Sequence, residues 1–288
     1  MPTVKKVWWV WRRLISPRWE DSWIERLRWA GQDKVAVHHV AGRKFSRLEA
    51  YFPSSQKARS IQRAFGGTVS QVCLPKSLGE TLKPVSLGRR LTIYPEKPKT
   101  QSPGHPFLVI PPGPAFGSGH HPTTQLLLQA LLDLPSLSGK ALLDVGTGSG
   151  IVALAGRLFG AQPVIGLDID PQAISEAPKN EKRNFRGGQI HWICANFLQW
   201  ETEARFDIVC ANLFASCFIS GAQTFALWMR PEGRLLATGV LMNQKDEVRK
   251  ALSQAGFLWE GTLTKRQWIL DRWLWPGKKT ETFASAHP

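Results

Sequence analysis

Leu142-Leu143-Asp144-Val145-Gly146-Thr147-Gly148-Ser149-Gly150 decides the fold: a short, mostly apolar run leads without a break into three alternate glycines. Such a run reads as a strand buried on both faces, and glycine after it lets the backbone turn tightly and approach a ligand with no Cβ in the way. Tight strand-to-helix turns also use glycine for structural reasons alone, so the triplet needs support from its surroundings. Asp168 gives it, standing 22 residues after Gly146 at the end of the next apolar run, where a carboxylate can accept hydrogen bonds from both hydroxyls of a ribose. The same grammar continues outward. Strands are expected at 141–145, 163–168, 190–195, 206–211 and 234–240, and helices at 149–159, 171–184, 216–229 and 244–255. This alternation predicts an α/β fold with a doubly wound, mostly parallel, Rossmann-like sheet. Residues 257–275 leave no room for another crossover helix and predict an antiparallel C-terminal hairpin on the sheet edge, followed by a disordered tail at 277–288.

Two further blocks flank the glycine loop. Asp207-Ile208-Val209-Cys210-Ala211-Asn212-Leu213 ends the fourth strand, where strand order should reverse and ligands should lie. The Asn212 carbonyl could accept a hydrogen bond from an attacking amine, and it could equally cap a strand end. Upstream, Pro114-Ala115-Phe116-Gly117-Ser118-Gly119-His120-His121-Pro122-Thr123-Thr124 is a compact Gly/Pro loop leading into an apolar helix at 125–134. His120 and His121 could position an amine or serve as hydrogen-bonding loop residues. Phe197, after the third strand, could stack on a purine or pack in the core.

The 288 residues are 43% hydrophobic and 20% charged, which excludes a mostly disordered chain. The net charge of +15 is uneven: residues 1–100 carry 20 Lys+Arg against 7 Asp+Glu, or +13, and residues 101–288 carry 17 against 15, or +2. A polyanionic partner would therefore meet the first third. There the elements read strand 4–14, helix 20–29, hairpin 34–41 and 45–52, helix 54–65, strand 68–74, a βαββαβ order that predicts a small ferredoxin-like α+β domain over 1–74. Its tryptophans, Trp8, Trp9, Trp11, Trp19, Trp23 and Trp29, interleave with arginines, a pattern that fits a base-stacking surface or a core with a solvated basic face. Five prolines between 75 and 104 predict a linker, and 105–276 the larger domain. No run approaches the roughly 18 apolar residues that span a bilayer. Lys5 and Lys6 precede only Val7 to Trp11 before Arg12 and Arg13, too short for an export signal. Cys73, Cys194, Cys210 and Cys217 form no CxxC pair or metal-ligand spacing, so reduced thiols in a cytoplasmic protein and no bound metal are expected. A monomer is expected.

The GxGxG spacing behind Asp144 resembles motif I of the class I S-adenosylmethionine (SAM) methyltransferases, and the block ending His121-Pro122-Thr123-Thr124 resembles the FGTGxHPTT signature of the PrmA family, which methylates large-subunit ribosomal protein eleven. Ala211-Asn212-Leu213, Gly166-Leu167-Asp168-Ile169-Asp170-Pro171 and Arg230-Pro231-Glu232-Gly233 with Gly239 extend the resemblance over 85–273. It implies a class I methyltransferase fold, SAM as cofactor, and transfer of methyl groups to lysine or N-terminal amines of that ribosomal protein, presented beside ribosomal RNA. It places cofactor contacts on Thr124, Gly146, Asp168 and Asn212. Gly148, Phe116 and Asn196 complete the expected cofactor set, with Asn212 and His121 expected to position the amine. Ser118 and Thr147 depart from the pattern but are small; Pro178 predicts a kink near Ser175. The first third matches only in element order and general composition. An RNA methyltransferase remains an alternative, although the fourth-strand motif lacks the prolines and aromatic of the Asn-Pro-Pro-Tyr type; a non-catalytic SAM-binding scaffold is another.

Overall fold

The computed structural model describes residues 7–17, 20–30, 32, 35–39, 45–73, 83–98, 104–111 and 117–277. Two compact units divide the chain, Met1–Glu80 and Thr81–Pro288. The predicted tail therefore lies, apart from Gly277, outside the described residues.

The first unit runs β1 (Val7–Ile15), α1 (Glu20–Trp29), β2 (Val35–His39), β3 (Ser46–Phe52), α2 (Ser55–Phe65) and β4 (Thr68–Cys73). Its antiparallel sheet has the order β2-β3-β1-β4, the expected ferredoxin-like arrangement. Side chains alternate across β1, and the pairs Trp9↔Phe52 and Trp11↔Ala50 share one face. Trp11 on that face is fully buried with Leu27, Leu48, Ala58 and Ile61, and its Nε1 donates to the Gly66 carbonyl at 2.6 Å. Trp23 lies under Arg13 and Arg26, 4.5 and 5.2 Å from its ring centre. Trp11 and Trp23 therefore belong to the core, the plainer of the two readings, whereas Trp9 is only half-buried at its edge. The side chains of Trp19 and Trp29 lie outside the described residues.

The second unit begins inside the stretch read as a linker, and this corrects that reading. β5 (Val85–Ser86), β6 (Thr92–Tyr94) and β7 (Phe107–Val109) form a small sheet of order β5-β6-β7. Leu91, Ile93, Leu108 and Ile110 are buried in the same cluster as α3 (Pro122–Leu132) and α4 (Ile151–Leu158), so this sheet is part of the larger core. The main sheet contains β8 (Leu142–Val145), β9 (Val164–Asp168), β10 (Ile190–Cys194), β11 (Phe206–Asn212), β12 (Met229–Leu241), β13 (Leu258–Lys265) and β14 (Trp268–Trp275). Its order is β10-β9-β8-β11-β12-β14-β13, parallel through β12 and antiparallel in the final hairpin.

Helices α5 (Pro171–Asn184), α6 (Ala215–Trp228) and α7 (Lys245–Gln254) supply the remaining connections. All four residues of β8 are buried, as its apolar run requires. α5 starts where Asp170 caps it, accepting from the Gln172 N–H at 2.9 Å with Pro171 in the first turn, and it runs as one helix through Pro178. β12 begins at Met229, several residues earlier than expected, but its pairing with β11 jumps from Met229 to Arg234, so Arg230-Pro231-Glu232 form an irregularity at its start, with Glu232 at φ 64°.

Candidate active site

Strand order reverses between β8 and β11, which pair in parallel through Val145↔Ala211. At the carboxyl ends beside that reversal the chain places Gly146 after β8, Asp168 at the end of β9 and Asn212 at the end of β11. Gly146 has φ 73°, and a Cβ there would fall 2.7 Å from Leu213 Cδ2, so glycine is required for the loop to lie against the Asn212-Leu213 segment. Gly239, with φ 88°, does the same from β12: a Cβ would lie 2.3 Å from the Leu213 carbonyl oxygen and 3.0 Å from Asn212 Oδ1. The Asn212 side-chain amide has no hydrogen-bond partner among the described residues and so keeps both donor and acceptor for a ligand.

Asp168 is held from both sides. Its Oδ2 accepts from the Gly148 N–H at 2.8 Å and its Oδ1 from the Asp170 N–H at 3.0 Å. A carboxylate has about four acceptor positions, so each oxygen retains capacity for one hydroxyl of a diol. Gly148 thus enters the site as a strut for Asp168. Asp144, buried inside the loop, accepts from Thr147 Oγ1 at 2.6 Å and the Ala153 N–H at 3.2 Å. Burial pushes its pKa up to about 7 despite those bonds, with the Asp168 charge adding to the rise.

The upstream block is joined to the glycine loop by Ser149 Oγ, which donates to the Gly117 carbonyl at 2.7 Å. Thr124, in the first turn of α3, is only 2% exposed, and its Oγ1 has no hydrogen-bond partner among the described residues. A buried hydroxyl left unpaired costs on the order of 1 to 3 kcal/mol, which a ligand's polar group would recover. His121 caps α3, accepting from the Thr123 N–H at 3.4 Å, and its ring meets Trp268 at 5.3 Å. Burial and then the Arg266 charge lower its pKa, which favours the neutral ring. His120 Nε2 lies 2.9 Å from the Lys83 carbonyl. Phe116 is outside the described residues.

Asn196 follows β10, and its Oδ1 accepts from the Leu198 N–H at 3.1 Å, shaping the turn and leaving its Nδ2 for a ligand. Phe197 stacks on Phe225 at 5.5 Å and presses on Gly221, so it is a packing residue. Ile169 and Phe214, each next to or near a site residue, are 67% and 66% exposed. Sequence reasoning missed Glu181 and Asn180 of α5. Asn180 Nδ2 donates to the Ser149 carbonyl at 2.9 Å, tying the helix to the glycine loop. The available signal was the inward stripe Ala173, Ala177, Asn180, Glu181, in which polar residues occupy helical positions otherwise apolar.

Among the described residues no group of three or more His, Cys, Asp or Glu is placed to hold a metal ion, and no helix is long and apolar enough to cross a membrane. The family model described as ribosomal protein L11 methyltransferase (PrmA) matches residues 75–271. A ribosomal protein L11 methyltransferase of Chromohalobacter salexigens is 36% identical over 186 residues, 65% of this chain and 61% of that protein. One from Azotobacter vinelandii is 39% identical over 194 residues, 67% and 65% of the two chains. The chain thus spans less than two thirds of the length of these relatives. A third, from Methylococcus capsulatus, is 34% identical over 256 residues, 88% of this chain and 82% of that protein. Among solved structures, the ribosomal protein L11 methylase of Lactobacillus delbrueckii subsp. bulgaricus superposes with a TM-score of 0.60 at 24% identity, covering 67% of this chain and 97% of that one, and shares the fold.

Proposed function

From the premise that the chain belongs to the ribosomal protein L11 methyltransferase (PrmA) family, we propose that it methylates lysine or N-terminal amines of ribosomal protein L11 in the cytoplasm with S-adenosylmethionine as methyl donor. The observation that carries this reading is the convergence of Gly146, Asp168 and Asn212 at the strand-order reversal. The residues suit the cofactor: Asp168 has acceptor capacity for both ribose hydroxyls, the Thr124 hydroxyl is buried and unpartnered, and Asn196 Nδ2 stands at the next strand end toward a base. When bound, SAM supplies an electrophilic methyl group on a sulfonium.

The protein's task is to present an uncharged amine in line with that methyl group. A lysine with an ordinary pKa near 10.4 must give up its proton at a cost of about 4.6 kcal/mol at pH 7. Desolvation can shift an amine by ~3 to 5 units, so no dedicated carboxylate base is required. Phe214, exposed two residues after Asn212, supplies apolar surface for that desolvation, and the Asn212 carbonyl accepts from the amine N–H and fixes its direction. His121 acts by holding the start of α3, and hence Thr124, in place. The basic first unit serves as the reader of the ribosomal substrate.

Transfer of radiolabel from SAM to a fractionated lysate, with and without ribonuclease, tests the reading. Label is expected in a small ribosomal protein and should survive ribonuclease; ribonuclease-sensitive label would move the assignment to RNA. Asn212→Ala should reduce turnover more than SAM affinity, whereas equal losses would make it an ordinary cofactor contact.

A further inference from the structure

Helix α2 has two chemically distinct faces. Ala58, Ile61 and Phe65, spaced i, i+3, i+7, pack into the core of the first unit. Gln56, Arg59, Gln62 and Arg63 form the stripe beside them and line a cleft of about 610 Å³, whose floor is the half-buried Trp9 of β1 and Val69 of β4. This volume lies in the range of small-ligand pockets. No acidic residue lines the cleft, and α2 contains none. Arg59 and Arg63 are exposed and make no ion pair among the described residues. Gln62 Nε2 donates to the Gly67 carbonyl at 3.2 Å, which steadies one wall.

We propose that this cleft is a binding site for single-stranded RNA, in which Arg59 and Arg63 take successive phosphates and a base enters against the Trp9 ring. Paired cations one helical turn apart, an aromatic floor and flanking amides make up the combination that tracks a flexible sugar-phosphate chain while stacking its bases. An acidic peptide would satisfy the arginines but would leave the aromatic floor without a planar partner. The site lies wholly within the first unit, and it extends the proposed function by giving the basic unit an RNA ligand of its own.

Fluorescence anisotropy of a fluorescein-labelled oligouridylate, titrated with the full-length protein in the absence of SAM, tests the proposal independently of methylation. Arg59→Gln combined with Arg63→Gln keeps good helix formers on an exposed face and should preserve folding, checked by circular dichroism. That variant should bind about tenfold or more weakly. The dependence of log affinity on log salt should become shallower by about 1.4, as expected when two phosphates of a single strand are no longer neutralised. Lys57→Gln combined with Lys97→Gln removes the same charge outside the cleft and should stay within about twofold of the parent. Equal losses in the two double variants would overturn the site in favour of diffuse charge. Arginine-dependent binding of a labelled oligoglutamate, with no such dependence for the oligouridylate, would overturn it in favour of an acidic peptide.

Discussion

Asp144 is 2% exposed, and its carboxyl sits close to the fully buried Cys210, whose thiol pKa is raised by burial and by the Asp144 charge. The unfolded chain ionises Asp144 near pH 3.8, whereas the folded chain keeps the proton to about pH 7. The unfolded state therefore binds fewer protons between those values, so this group's contribution makes stability fall as pH rises from about 4 to about 7 and levels off above that. A gap of roughly three pKa units corresponds to a loss of order 4 kcal/mol. Denaturant unfolding at pH 5 and pH 8 should show that slope in the parent and lose it in Asp144→Asn; an unchanged slope in the variant would assign it elsewhere. For Asp168, calorimetry with SAM should find Asp168→Ala weaker by about 1.5 to 3 kcal/mol, with Asp168→Asn, which keeps one acceptor oxygen, in between. Unchanged affinity in both variants would remove Asp168 from the ribose site. Both aspartates are legible in the sequence because each stands in a contiguous strand-to-loop motif. The burial that raises the Asp144 pKa is not, since it depends on the packing of β8 between strands such as β11, whose Cys210 stands beside Asp144 but is distant along the chain.

Helix α5 shows what an element contributes beyond its own motif. Glu181, 3% exposed, accepts from the Gln189 and Ile190 N–H groups at 2.6 and 3.0 Å and from Trp192 Nε1 at 2.8 Å, fixing the start of β10 and with it the approach to Asn196. Asn184 pairs with both backbone groups of Val109 at 2.7 and 2.9 Å, joining β7 to the same helix. Glu181→Gln keeps one acceptor but turns a donor toward Trp192, and should cost about 1 to 3 kcal/mol in chemical denaturation. A change within about 0.5 kcal/mol, the usual scale of an ordinary surface substitution, would show that the bond to Trp192 is dispensable. Element order was readable outside residues 83–111 because apolar periodicity changes between strands and helices. The β5-β6-β7 sheet was not, because strands of two or three residues among prolines are too short to show a period, and only their shared burial with α3 and α4 reveals them.

At the scale of the whole molecule, each unit has its own core: Trp11, Leu27, Leu48 and Ile61 in the first, and the clusters on the two faces of the seven-stranded sheet in the second. Charge is concentrated in the first unit as well: residues 1–80 carry 15 Lys+Arg against 6 Asp+Glu, or +9, while the much longer stretch 81–288 carries 22 against 16, or +6. A protein beginning at Thr81 should therefore keep SAM binding and lose most methylation of a protein target, because orientation of the amine would depend on the missing reader. Equal rates for the truncated and intact proteins would leave the first unit without that role. The N-terminal fold was legible from its βαββαβ order, whereas the cleft under α2 was not, since it depends on which of two helix faces meets the sheet. Intact-mass spectrometry of purified L11 incubated with the full-length protein and SAM tests amine methylation of ribosomal protein L11 at the Asn212 site. A mass increase in whole methyl increments is expected, greatly slowed by Asn212→Ala while SAM remains bound. Unmodified L11 alongside demonstrated SAM binding by the parent protein would contradict it.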